Sequence, residues 1–447
     1  MNSNVERQNG AQKLELGGFG DIRKDVSERL FKDPSYDVFN AMDEMSSKAE
    51  GYIGRLAESY PDAKLWVGGS LGRREMLPNS DIDLFVVYDS PDYTRDDIRV
   101  DGVDKFEVGH IDHDRLQGLL KYSLVDANRF IDGRKVGHND TPEIENMILG
   151  VNSSDRQLAN NISEYFFYRY FDFPHKHTAM GPNLKYSTGS SRDTIFFNMI
   201  SRMGTGQFPA IRGDRPELLD VMSDAEQRYG IRPPYDTVNL LFTVKNAAIS
   251  VYDATGDMRN RYVSPISLDA IYNFGRDKFR VWGIKDSRQF IEIYSAARQE
   301  LEYTVDTLLT KALSQHPSAP DIQGLLNAEK ENLAQLCLNM IENSNDYPHS
   351  VAAFGAWLTS INHPSSEDMD NIARSLLSKP LDESWGGLMA VACSEDTPDA
   401  TLSSLADWLY ENEKGAYLTK LITRNPSSSP ATKAKAIAYY KEKEVIE

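Results

Sequence analysis

In the stretch LWVGGSLGRREMLPNSDIDLFVVYD, which begins at Leu65, Asp81 and Asp83 stand one residue apart at the head of an apolar run. Alternation along a strand puts both carboxylates on one face and Ile82 and Leu84 on the other. Neighbouring carboxylates repel, so a soluble protein keeps such a pair together with a shared proton or a cation. Two oxygen donors next to a phosphate describe magnesium better than a proton-sharing dyad. The implied chemistry is transfer from a nucleoside triphosphate. Upstream, the apolar Leu65-Trp66-Val67 runs into Gly68-Gly69-Ser70. The glycines permit a sharp turn with uncovered backbone amides, and a short helix over Leu71 to Glu75 would aim its first amides at the same anion. Ser70 adds a hydroxyl.

Clamping an α-phosphate between two metal ions, with a base for the acceptor hydroxyl, calls for a third acid. In KFEVGHIDHDRL, Phe106, Val108 and Ile111 suggest a second strand, and Glu107 lies between apolar residues as Asp83 does. Glu107 is therefore the expected third ligand and base. Asp104 and Asp112 are its rivals, because one sequence does not fix strand register. Arg73 is the phosphate contact expected of the Arg73-Arg74 pair; the competing reading has both arginines solvated and paired with Glu75. His110 and His113 stand three apart on a strand and turn, where no shared zinc geometry is enforced.

The order of glycine-glycine-serine, short helix, paired aspartates on a strand and an acid on a later strand resembles the nucleotidyltransferase superfamily that includes DNA polymerase beta. Within it, GGSLGRREMLPNSDIDLFVVYD is most similar to the amino-terminal catalytic region of bacterial PII-protein uridylyltransferases. EVGHIDHDRL with LVDANRFIDG, then GPNLKYSTGSSRDTIFF, then NLLFTVKNAAISVY extend the similarity over approximately Gly51 to Arg280. The resemblance implies a magnesium site, with manganese as a substitute, on Asp81, Asp83 and Glu107. It implies nucleotide contacts from Gly69, Ser70 and Arg73. It also assigns the loop from Gly181 to Arg192 to nucleotide or acceptor contact, with Lys185 on phosphate and Arg192 either there or paired elsewhere. UTP is the donor favoured by resemblance, and ATP is a near rival. Two departures stand out. Glu107 occupies a position where much of the superfamily has aspartate, and His316, His349 and His363 are isolated, none preceding Asp, so the phosphohydrolase domain of the uridylyltransferases has no counterpart.

The elements that must carry these residues are legible in outline. Helical stretches are expected around Val26 to Leu30 and from Val38 to Tyr60, where Pro61 disfavours helix before it. Strands are expected at Lys64 to Val67 and Ile82 to Tyr88, with a helix from Asp114 to Phe130. Beyond Ser154 the periodicity is largely helical. Near the end, HPSSEDMDNIA, DTPDATLSSLA and NPSSSPATKAKAIA each place a Pro/Ser/Thr cap before a helix and recur after about thirty residues, the period of stacked helical pairs. The expected fold is α+β: an N-terminal helical extension over 1–50, a small mixed-sheet nucleotidyltransferase domain over 51–150, a helical domain completing the cleft over 151–310, and a repeat-like helical stack over 311–447.

Composition narrows the partners. The chain has 447 residues, 40% hydrophobic and 26% charged, enough for two or three cores. Its formal net charge of -18 disfavours broad contact with nucleic acid backbones. Only scattered basic residues break that acidity, so an RNA end is a weaker acceptor than a protein hydroxyl; a small cationic molecule such as an aminoglycoside is the close alternative. A catalytically inactive binding protein of the same fold is disfavoured because a dead site has no need of adjacent carboxylates. A homo-oligomer is compatible with the helical stack. Two cysteines, Cys337 and Cys393, provide neither a disulfide framework nor a zinc set. No apolar stretch is long enough to span a bilayer, and the polar start lacks the apolar run of a secretory signal. The cytoplasm is the expected location, with export as an effector the alternative.

Overall fold

The computed structural model describes residues 14–15, 19–59, 64–78, 80–88, 100–101, 106–112, 116, 133–136, 144, 146–147, 155–167, 170, 216–232, 234–255, 268–315, 318–344, 346–411 and 416–444. The strands over 14–15, 100–101 and 106–112 are described through their backbone. The fold is α+β, a small mixed sheet followed by a large helical region.

Helices α1 (Phe19–Lys32) and α2 (Val38–Ser59) form because their apolar residues recur at helical spacing. Phe19, Val26 and Leu30 are buried on α1; Val38, Ala41, Met42, Met45, Ala49 and Ile53 are buried on α2. Pro34 interrupts the pair. The loop it opens is held by Lys278, whose side chain is buried and whose Nζ donates to the carbonyls of Asp33 and Tyr36, each at 2.8 Å. Burial pushes that ammonium below its ordinary value, opposed by the charges of Asp33 and Asp37.

Four strands make the sheet. Strand β2 (Lys64–Val67) runs antiparallel to β3 (Ile82–Tyr88) and to β6 (Arg134–Val136), while β5 (Phe106–Asp112) lies parallel to β3. The limits of β2 and β3 are those expected from their apolar runs. Strands β1 (Leu14–Glu15) and β4 (Val100–Asp101) pair separately and in parallel. Of the helix expected over 114–130, Leu116 is described, helical and buried; the rest lies outside the described residues.

The helical region begins with α4 (Asp155–Phe166) and continues through α5 (Glu217–Tyr229), α6 (Tyr235–Thr255), α7 (Leu268–Phe274), α8 (Arg276–Val281) and α9 (Ser287–Ser314). The expected helix through NLLFTVKNAAISVY is the body of α6, which packs on α2 and α9. After α10 (Ala319–Leu326) the helices fall into two rows. Helices α11 (Lys330–Glu342), α13 (Ser366–Leu377), α15 (Asp399–Glu411) and α17 (Pro430–Glu444) pack in succession. So do α12 (His349–Ile361), α14 (Leu381–Cys393) and α16 (Ala416–Arg424).

The caps read from the sequence stitch these rows together. Ser365 and Asp368 form a capping box, and the Ser429 amide donates to Asp399 at 2.7 Å. Thr397 and Ser428 hydroxyls each donate at 2.7 Å to the carbonyl six residues earlier, closing equivalent turns after α14 and α16. Helix α4 seats this region: Phe166 stacks on Trp357, and a Cβ added at Gly386 would lie 2.6 Å from Ser163 Oγ. Trp357 and Trp385 are buried, as packing residues should be. No helix among the described residues is long and apolar enough to cross a membrane.

Cys337 on α11 is fully buried beside Gly355, and burial pushes its thiol up to about 12, a rise the Thr359 hydroxyl only partly offsets. A raised thiol pKa leaves the reactive thiolate scarce at pH 8. In a native labelling experiment at that pH, a disulfide reagent is expected to modify the partly exposed Cys393 first, with Cys337 reacting only at the rate of unfolding. Rapid native modification of Cys337 would show that the α11–α12 core is open. By linkage, the thiol's contribution to stability is whole below its ordinary pKa and drains away as pH climbs toward about 12.

Candidate active site

The sheet brings one end of each strand to a common edge. Val67, the last residue of β2, lies opposite Leu84 near the start of β3 and opposite Arg134 at the start of β6. Because β5 runs parallel to β3, its first residues reach the same edge. The Gly68 amide donates to the Asp83 carbonyl at 2.9 Å, extending the ladder one residue past β2. The chain then turns at Gly69, whose φ is +59. A Cβ built there would fall 2.1 Å from Asp83 Oδ2, so the carboxylate packs directly over the Gly69 Cα. Both the backbone angle and the space demand glycine.

The turn leads into a single helical turn, α3 (Gly69–Gly72). It begins two residues before the expected 71–75 helix and ends three before its close, because Arg74 takes a left-handed conformation with φ 55. The Glu75 amide returns to the Ser70 carbonyl at 2.7 Å. Helix-starting amides have no acceptor within the helix, which leaves this segment donors to offer an anion. Ser70 is partly exposed beside them.

Asp81 precedes β3 and Asp83 is its second residue; both are partly exposed. Further along the same face the strand closes, with Phe85 and Val87 buried. Among the described residues neither carboxylate has a side-chain hydrogen-bond or ion-pair partner. Two adjacent carboxylates with no compensating group among the described residues suit a divalent cation. Position 107 is the register partner of Asp83, whereas Asp112 pairs with Tyr88 at the far end of the strand, about 16 Å further along at the usual rise per residue. Register therefore sets position 107, and not position 112, beside Asp83. Asp104 lies outside the described residues. Among the described residues no group of three His, Cys, Asp or Glu side chains gathers as a metal site; Asp81 and Asp83 make two acids, and Glu107 is described through its backbone.

The arginines differ from a solvated pair. Arg73 and Arg74 are 8% and 6% exposed. Arg73 Nε donates to Glu75 Oε2 at 2.8 Å, and its carbonyl accepts the Glu217 amide at 2.9 Å. Arg74 turns the other way, toward Asp43 and Glu50 of α2. Arg276, on short α8, is exposed and reaches Asn273. Lys185 and Arg192, with the whole loop from Gly181, lie outside the described residues, as do His113, Asp126 and Arg129. What sequence reasoning missed is the α2 side of the site. Its signal was available: Asp43, Ser46, Ser47 and Glu50 recur at helical spacing on a helix otherwise buried by apolar residues.

Residues 50–128 match the family model described as the nucleotidyltransferase domain, and the chain carries a domain of that superfamily. The match encloses the Gly69 turn, both aspartates and Glu107. No curated protein and no solved structure matches the chain.

Replacing Gly69 by alanine forces an L side chain into the left-handed region, a strain of about 1–2 kcal/mol, and drives Asp83 from its seat. The Gly69→Ala protein is expected to fold, by circular dichroism, and to lose about a hundredfold in nucleotide turnover. Turnover near the wild-type rate would mean the carboxylate's seat on the glycine is irrelevant to the chemistry.

Proposed function

We propose that this protein transfers a nucleoside monophosphate, UMP or AMP, from a nucleoside triphosphate to a hydroxyl of a protein, releasing pyrophosphate. The observation that carries this reading is the packing of the Asp83 carboxylate on Gly69 at the edge where position 107 is its neighbour. One contact thereby joins a cation-binding acid to an anion-binding turn.

Asp81, Asp83 and Glu107 are the residues to hold magnesium, or manganese in its place. Bound there, the cation supplies charge neutralisation for the triphosphate and polarises the α-phosphate. The chain does the rest by placement. Gly69 and Ser70 offer backbone amides and a hydroxyl to the terminal phosphates, with Arg73, Lys185 and Arg192 as further basic contacts. Glu107 accepts the proton of the acceptor hydroxyl as its oxygen bonds to the α-phosphorus. The bond from that phosphorus to the bridging oxygen breaks, and the electron pair leaves with pyrophosphate.

The two rows of C-terminal helices support a macromolecular acceptor. Read as a helical-repeat stack, they offer an extended surface of the kind that grips another protein. A small cationic acceptor is the second reading, favoured by the net charge of -18.

Incubation with candidate acceptors, magnesium and each labelled triphosphate, followed by intact-mass analysis, tests the proposal. The expected result is an increment of one nucleoside monophosphate on the acceptor, abolished by chelation and by Asp81→Asn with Asp83→Asn. An increment of a lone phosphate would identify a kinase instead.

A further inference from the structure

Arg74 is one of two non-glycine residues with positive φ among the described residues, and it sits two residues past the helical turn that follows Gly69. L side chains resist that region because Cβ crowds the neighbouring carbonyl, so something must hold the backbone there. The holder is α2. Arg74 Nη1 donates to Glu50 Oε2 at 2.9 Å, and Nη2 donates to Asp43 Oδ1 at 2.8 Å and Ser47 Oγ at 2.5 Å. The Arg74 side chain is 7% exposed. One helical turn of α2 also serves the loop directly: Ser46 Oγ accepts the Met76 amide at 3.2 Å. Glu50 is shared with Arg134 of β6, whose Nε donates to the Gly72 carbonyl at 2.7 Å.

The Arg74 amide in turn donates to the Leu71 carbonyl at 3.0 Å. Any shift of Arg74 is thus passed to the segment that carries Gly69 and Ser70. At the other end of the loop, Arg23 of α1 donates to the Ser80 carbonyl at 2.9 Å, one residue before Asp81. The two N-terminal helices therefore pin both ends of the segment that joins the anion-binding turn to the paired aspartates.

We infer that Arg74 is a positioning residue for nucleotidyl transfer: gripped by the polar stripe Asp43-Ser47-Glu50 of α2, it locks the left-handed backbone that holds the Gly69–Ser70 turn against Asp83. Its guanidinium spans two carboxylates on one helix, a reach a lysine ammonium cannot reproduce. The inference rests on the proposed reaction, and its test separates the two.

Three variants serve. Arg74→Lys keeps the charge without the fork. Arg74→Gly accepts φ 55 without strain and leaves room for a small cation. Gly386→Ala, far from the site in sequence and packed against Ser163, lowers stability alone. Both Arg74 variants are expected to lower kcat by about tenfold or more. Guanidinium chloride at low millimolar concentration restores part of the Arg74→Gly rate, and equal sodium chloride does not. Hydrogen exchange over residues 68–80, measured without nucleotide, accelerates in both. Gly386→Ala leaves kcat and that exchange unchanged while lowering the melting temperature. Unchanged exchange in the Arg74 variants, or a kcat loss that merely follows the fraction unfolded with no guanidinium rescue, would overturn the inference. A wild-type protein that transfers no nucleotide would instead sink the proposed reaction, and the exchange measurement would still decide whether Arg74 sets the turn.

Discussion

The carboxylate of Asp83 resting on the bare Cα of Gly69 is the constraint on which the rest of this molecule's site depends. The contact exists because β2 and β3 are antiparallel and in register, so the residue after β2 hydrogen-bonds the backbone of Asp83 itself. A strand edge and a turn would otherwise be free to drift by an ångström or more. Here any side chain at position 69 would collide with the acid. The arrangement places negative charge and backbone donors side by side, which is what a metal-bound polyphosphate requires and what a simple tight turn does not.

Around that contact the structure is layered outward from an apolar core. The apolar residues of α1 and α2 form part of one continuous core with β2 and β3. A polar stripe on α2 then reaches through to the loop, holding both terminal nitrogens of a buried guanidinium and a buried amide. Breaking such a group's pairing while it stays buried costs far more than the pairing contributes over water. That asymmetry favours the loop conformation in which these groups are paired. The helical rows from α11 onward are fastened to α4 by aromatic stacking and by the close approach at Gly386. They are thereby part of the same core, and not a loosely tethered appendage.

Much of this could be read from the chain and some could not, for identifiable reasons. Strands β2 and β3 were legible to the residue because short, largely apolar runs bounded by proline, glycine and aspartate leave few alternatives. The paired aspartates and the glycine turn were legible from spacing alone. The pairing of position 107 with Asp83 was not, since strand register depends on partners distant in sequence. Nor was the early end of α3, because nothing in an arginine announces a left-handed backbone; that conformation comes from carboxylates on another helix. The burial of Arg73 and Arg74 was hidden for the same reason: Arg73's partner Glu75 is its neighbour in sequence, but the layer that covers both arginines is not.

The most direct measurement is a crystal structure of the protein with magnesium and a non-hydrolysable nucleoside triphosphate. Metal bound by the carboxylates of Asp81, Asp83 and Glu107 at about 2.1 Å, with the phosphates on the Gly69–Ser70 turn, is the expected result. Phosphates seated elsewhere, with both aspartates turned away from the metal, would contradict it.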